Sequence, residues 1–237
     1  MPLKLEKIAG WLDRTLNVAD FDDVSNNGVQ IDAGDGTVTT VAFAVDASVR
    51  AVQAAAAAGA QLLVVHHGIS WGGGVKRIAG GVGNVVRATC AAHLSVYACH
   101  LPLDAHPVLG NNAQLAKLLG LRHVKPAFRY HGNVIGFVGT SSATREVAVG
   151  TARFTLPRGL IGVCSGGAGE FAEEAKDLGC ALYLTGEASW GDVIAAENCG
   201  MPMVCAGHYE TEVFGVRAVA SAMKKALKLR VVDLTVK

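Results

Sequence analysis

Gly59-Ala-Gln-Leu-Leu-Val-Val-His66-His67-Gly68 sets four consecutive aliphatic residues between a glycine and a pair of histidines, and Gly179-Cys-Ala-Leu-Tyr-Leu-Thr-Gly186-Glu187 repeats the arrangement later in the chain. A short apolar run bounded by turn residues and flanked by Ala-rich helical stretches is the pattern of a strand buried on both faces of a parallel sheet. The likeness extends outward from both segments. In the first half, a strand ending at Asp46 and a helix precede the run, and another helix and Val96-Tyr-Ala-Cys-His100-Leu-Pro-Leu-Asp104 follow it. In the second, a strand ending in Cys164-Ser-Gly-Gly and a helix precede it, and a helix and Met203-Val-Cys-Ala-Gly-His208-Tyr-Glu-Thr-Glu212 follow. His100/Asp104 and His208/Glu212 are both His-x-x-x-carboxylate, separated by 108 positions. We read an α/β protein of two similar lobes with mostly parallel sheets, residues 1–125 and 126–237, and a metal site in the cleft between them.

Strands are expected at Val41–Asp46, Leu62–His66, Leu94–Cys99, Val134–Gly139, Leu160–Cys164, Ala181–Thr185, Pro202–Ala206 and Leu229–Leu234. Helices are expected at Leu3–Leu16, Ser48–Ala58, Val82–Ala92, Asn112–Leu119, Gly169–Leu178, Trp190–Asn198 and Glu210–Leu227. The glycine-rich Gly72–Gly83 segment has no counterpart in the second lobe and reads as a mobile loop beside His66-His67.

Composition narrows the function classes. The 237 residues are 51% hydrophobic, yet no apolar run approaches the roughly 20 residues that a membrane span needs. The N-terminus lacks the continuous apolar core of a signal peptide, so a cytoplasmic protein is expected. With 21 Lys+Arg against 20 Asp+Glu the chain is nearly neutral, which disfavours nucleic-acid binding by a basic surface. The Lys224-Lys225 and Lys228–Arg230 cluster reads as the solvated face of a last helix. Six cysteines without a Cys-x-x-Cys pair read as free thiols filling core space.

The chemistry lies in groups placed just past apolar runs, where strand ends release side chains from the pleat. His66, His67, Asp104, His208 and Glu212 are the candidate metal ligands. Imidazole and carboxylate suit Zn, Fe, Mn or Ni, and five such groups exceed the needs of one tetrahedral site, so two divalent ions per subunit are expected. Neighbouring histidines in a strand point to opposite faces, and Gly68 offers the turn that lets both face one site. If a helix opens near Tyr209, His208 and Glu212 lie one turn apart on one side, and Glu212 can bridge two cations. Pro102 keeps His100 and Asp104 off one helical face, so that segment must curve. His100 and Glu187 are the candidate catalytic residues, for proton transfer. Ser165-Gly-Gly-Ala-Gly169 could present backbone N–H groups to a phosphate, though it lacks a Walker motif. Asn26-Asn-Gly-Val-Gln30 offers side-chain amides, or simply an Asn-Gly turn.

His66-His67-Gly, His100-Leu-Pro-Leu-Asp104 with Gly110-Asn-Asn, Thr185-Gly-Glu187 and Gly207-His208-x-x-x-Glu212 together resemble the Nif-three-like family, whose members are also called GTP cyclohydrolase I type 2 homologues. The resemblance runs from Asn27 to the C-terminus and matches the short bacterial form, without an inserted third domain. It implies a dinuclear metal centre on the same five ligands, a homohexameric ring and ring-opening hydrolysis of a nucleotide as the named activity. One departure is Ser189-Trp-Gly-Asp192, which stands where many members carry a histidine. The expected function is a dinuclear metal-dependent hydrolase in which metal-activated water attacks a nucleotide or related small molecule. The alternative is a metal-binding or scaffold ring protein without turnover.

Overall fold

The computed structural model describes residues 2–33 and 36–235. They fold as two compact units, Met1–Leu103 with Val216–Lys237, and Asp104–Gly215. The units therefore differ from the two halves of the chain expected from sequence. Asp104 opens the second unit, because the helix that follows it packs on second-unit strands. The last strand returns to the first unit.

The first unit is built on a five-stranded sheet of β2 (Gly28–Ile31), β4 (Thr40–Asp46), β5 (Leu62–His67), β6 (Ser95–Ala98) and β14 (Arg230–Asp233). Its order is β14-β4-β5-β6-β2, parallel except for the antiparallel edge strand β2. A short pair, β1 (Leu3–Lys4) and β3 (Thr37–Val38), lies apart from it. Every residue of β4 but Asp46 is buried, as a central parallel strand requires. Helices α2 (Val49–Ala57) and α3 (Gly80–Ala91) follow β4 and β5. The Ser48 hydroxyl starts α2 by accepting from the Ala51 N–H at 3.1 Å. Val52, Ala55 and Val85 of these helices pack on Ala42, Ala44, Leu63, Val65 and Val96, the alanines allowing close approach. Helix α1 (Leu5–Leu16) buries Leu5, Ile8, Leu12 and Leu16 at helical spacing.

The second unit carries β7 (Arg122–Tyr130), β8 (Asn133–Ser141), β11 (Gly159–Gly167), β12 (Leu182–Glu187) and β13 (Met203–Cys205), ordered β13-β12-β11-β8-β7. Here β11, β12 and β13 are parallel and the β11-β8-β7 side is antiparallel. The parallel trio repeats β4-β5-β6, so the internal likeness in the sequence is a likeness of structure. A hairpin, β9 (Arg145–Val149) and β10 (Ala152–Leu156), turns at Gly150. Helix α5 (Asn111–Leu118) packs on β8 and β11 and supplies Leu115 to a core with Ile161, Val163, Leu182 and Leu184. Helices α6 (Ala172–Asp177) and α7 (Trp190–Cys199) flank β12, and α8 (His208–Leu227) follows β13.

All eight expected strands are present. Pro102 sits at the second position of a short helix, α4 (Leu101–Ala105), rather than excluding one. A first-turn N–H has no intrahelical acceptor, so proline costs nothing there. Of the six free cysteines, Cys99, Cys164 and Cys180 are buried as core fillers, whereas Cys90 and Cys205 are exposed. Among the described residues no helix is long and apolar enough to cross a membrane.

Candidate metal centre

In the first unit, parallel pairing sets Asp46 at the end of β4 opposite His67 at the end of β5. Cys99 and His100 follow β6, the next strand along. The His66 and His67 rings lie 4.5 Å apart, and His100 is 5.1 Å from the first and 5.7 Å from the second. One nitrogen from each of the three lies within 4.8 Å of the others, a grouping able to hold a metal ion.

The other ring nitrogens decide whether that grouping fits a cation. His66 Nδ1 is 3.0 Å from the Cys99 carbonyl, which can only accept, so Nδ1 carries the proton. His67 Nδ1 is 2.9 Å from Asp46 Oδ1, and His100 Nδ1 is 2.9 Å from Asp23 Oδ1. Each imidazole is thus held by an oxygen on Nδ1 and presents the Nε2 lone pair, the arrangement seen where histidine ligates a metal. Asp23 is itself built in. Its carboxylate is 2% exposed and accepts from the Ser25 and Leu101 N–H groups at 3.0 and 2.8 Å and from Asn27 Nδ2 at 2.9 Å. Burial pushes its pKa up, but the bond and charge of His100, with the Ser25 and Asn27 bonds, bring it below 3.8.

The second unit contains the candidate carboxylates. Asp104 is buried and its Oδ1 accepts from Asn111 Nδ2 at 2.8 Å and from the Ser165 hydroxyl at 3.0 Å. Asn111 Oδ1 in turn accepts from the Gly215 N–H at 2.7 Å, and the buried Asn112 spans the Ile135 carbonyl and the Ser165 N–H. His208 opens α8, and its Nε2 lies 3.1 Å from Glu212 Oε1 one turn on. His208 Nδ1 meets Glu187 Oε1 at 3.0 Å, which makes a fourth imidazole held by an oxygen.

The Ser165–Gly169 segment is no phosphate loop. Its Ser165, Gly166 and Ala168 N–H groups are spent on Asn112, Thr211 and Thr185. Ser189 and Asp192 form a capping box on α7. Cys205, exposed at the end of β13, has its thiol pKa raised by burial and by Glu187 and Asp192, which argues against a thiolate nucleophile.

A family model described as Duf34/NIF3 (NGG1p interacting factor 3) matches residues 3–237. The chain belongs to this family. Among its Duf34/NIF3 relatives, the "GTP cyclohydrolase 1 type 2 homolog" of Pyrococcus horikoshii is 37% identical over 242 residues, covering 96% of each chain. The protein of the same name from Deinococcus radiodurans is 39% identical over 92% of this chain and 88% of its own. Of solved structures, the protein ybgI, of unknown function, superposes with a TM-score of 0.85 at 29% identity over 98% of both chains. Reduced HcgD from Methanocaldococcus jannaschii shares the fold, with a TM-score of 0.82 at 22% identity over 99% of this chain and 98% of its own.

Asp23 as the partner of His100, and Asn111 and Ser165 as partners of Asp104, are not apparent from the sequence. An acidic residue such as Asp23 in an irregular segment carries no periodic signal.

The His208 imidazole has its pKa raised to about 9, above all by the bond from Nε2 to Glu212, against burial and with help from Glu187. Without metal it is an imidazolium at neutral pH. That ion pairing stabilises the fold fully below pH 6.5 and is lost as pH rises through about 9. A metal ion held by His208 would compete for the same lone pair. At pH 7.5, metal uptake is therefore expected to release about one more proton per chain from the wild type than from His208→Asn, read by calorimetry in buffers of different ionisation enthalpy. Equal release from both proteins would refute this assignment.

Proposed function

We propose that the protein is a dinuclear metal-dependent hydrolase, in which His66, His67, Asp104, His208 and Glu212 hold two divalent ions of the Zn, Fe, Mn or Ni group. The observation that carries this reading is the set of imidazoles pinned through Nδ1 to oxygen acceptors, together with second-unit carboxylates that are themselves hydrogen-bonded. Such ligands are oriented in advance, so little ordering entropy opposes binding. Bound ions of this kind acidify water and stabilise a developing anion.

The protein's own groups do the rest. His100 is the proton carrier: Asp23 fixes its tautomer and stabilises the imidazolium formed when Nε2 takes a proton. Glu187, 63% exposed, aligns His208 and is the alternative proton carrier, open to solvent. The names of the relatives point to a nucleotide as substrate, with hydrolytic opening of its ring. The homohexameric ring belongs to the same proposal.

Metal analysis of Glu212→Gln tests the centre. Wild-type protein is expected to hold two equivalents and the variant one or fewer, with turnover of GTP lost alongside. Two equivalents retained in the variant would remove Glu212 from the centre. Metal-loaded wild type that hydrolyses neither GTP nor a panel of phosphoesters and cyclic amides would leave a metal-binding protein without turnover.

A further inference from the structure

We propose that Trp71 is the stacking platform for a planar heteroaromatic ring, and so a specificity-determining residue beside the imidazoles. This rests on the hydrolase reading and adds to it the residue that would hold the substrate's ring. Trp71 is 37% exposed, yet its ring is not loose. It meets His100 edge-to-face at 5.1 Å and lies 5.9 Å from His67, while its Nε1–H donates to the Gly68 carbonyl at 3.0 Å. With the N–H turned to the main chain, the exposed surface is apolar ring. Such a surface gains free energy when an aromatic partner covers it.

The backbone carrying Trp71 is clamped by side chains that the metal ligands do not need. Gln30 Oε1 accepts from the Ile69 and Ser70 N–H groups at 2.7 and 3.1 Å, and its Nε2 donates to the Asn26 carbonyl at 2.8 Å. Asn26 donates from its N–H to the Ser70 carbonyl and from Nδ2 to the Ser70 hydroxyl. Gly72 N–H bonds the Val24 carbonyl, and Ser25 pairs with Trp71 in an antiparallel bridge. A side chain at Gly68 would collide with the Gln30 amide. The Asn26 and Gln30 amides of the stretch singled out in the sequence are thus spent on fixing this turn. The following Val75–Ala79 segment is exposed and leaves the indole uncovered. A rigid aromatic surface is what a base stacks on with least loss of entropy, and the imidazoles beside it place the stacked ring next to the proposed chemistry.

Isothermal titration of metal-treated protein with GTP and, separately, with inorganic triphosphate tests this. Trp71→Leu is expected to weaken GTP binding by about 5- to 150-fold, the usual worth of one stacked base. Trp71→Phe should recover most of the loss, triphosphate should bind all forms alike, and metal content should not change. Trp190→Leu, which removes the most exposed tryptophan, should leave GTP affinity as in the wild type. Equal GTP affinity in wild type and Trp71→Leu, or GTP binding wild type no more tightly than triphosphate, would overturn the proposal. A wild type that takes up no metal would instead defeat the hydrolase reading, and the Leu-against-Phe comparison would still decide whether Trp71 stacks a base.

Discussion

Asp23→Ala is expected to cost about 3–5 kcal/mol of stability, the size of effect found when one member of a buried, charge-assisted set is removed. The carboxylate accepts four hydrogen bonds, from Ser25 N–H, Leu101 N–H, Asn27 Nδ2 and His100 Nδ1, and truncation strands all four donors. Asn is no substitute, because its amide nitrogen would face two donors where Asp23 presents an acceptor. The folded-state pKa of Asp23 is lowered, so its contribution is fully present above pH 3.8 and lost as pH falls through the folded value. Urea unfolding of wild type, Asp23→Ala and Asp23→Asn at pH 7 and pH 3 checks both the magnitude and the sign. The gap between wild type and Asp23→Ala should narrow at pH 3. A difference under about 1 kcal/mol at pH 7 would mean that water satisfies the donors.

How far such features can be read from sequence depends on whether they leave a local pattern. Strand β5 was legible because burial on both faces demands an unbroken aliphatic run, and the candidate ligands at its end were legible because strand ends are where side chains leave the pleat. Strand β7 was not. As an edge strand it leaves most of Arg122–Tyr130 exposed and tolerates Pro126, so neither an apolar run nor clean alternation marks it. Helix α4 was hidden by a proline whose cost depends on helix position. Within the site, His208 and Glu212 follow from helical spacing alone. The Asp23–His100 bond links residues 77 positions apart, and the Asn111–Gly215 bond links residues 104 apart. Tertiary packing creates those pairs, and one sequence contains no period that reports it.

Gly166→Ala separates metal binding from stability most sharply. Gly166 has φ +68, and a Cβ there would lie 2.5 Å from Glu212 Oε1 and 3.3 Å from His208 Nε2. The Glu212 side chain is 3% exposed and cannot swing into solvent, so the carboxylate must shift and carry its bond to His208 with it. Displacing oriented ligands costs on the order of 10–100-fold in metal affinity, and loss of the bridging candidate should put the effect at or beyond the upper end. The positive φ adds its own strain of about 1 kcal/mol. Gly179→Ala isolates that second contribution, since Gly179 has φ +79 in the same unit and a Cβ there meets nothing within 4 Å. Both variants should therefore lose similar strain energy in metal-free unfolding, with the collision at Glu212 adding to Gly166→Ala alone. Only Gly166→Ala should fail to retain metal through dialysis against a weak chelator. Metal loss in both variants would trace the effect to general loosening of the second unit, and retention in both would show that Glu212 can move without weakening the centre.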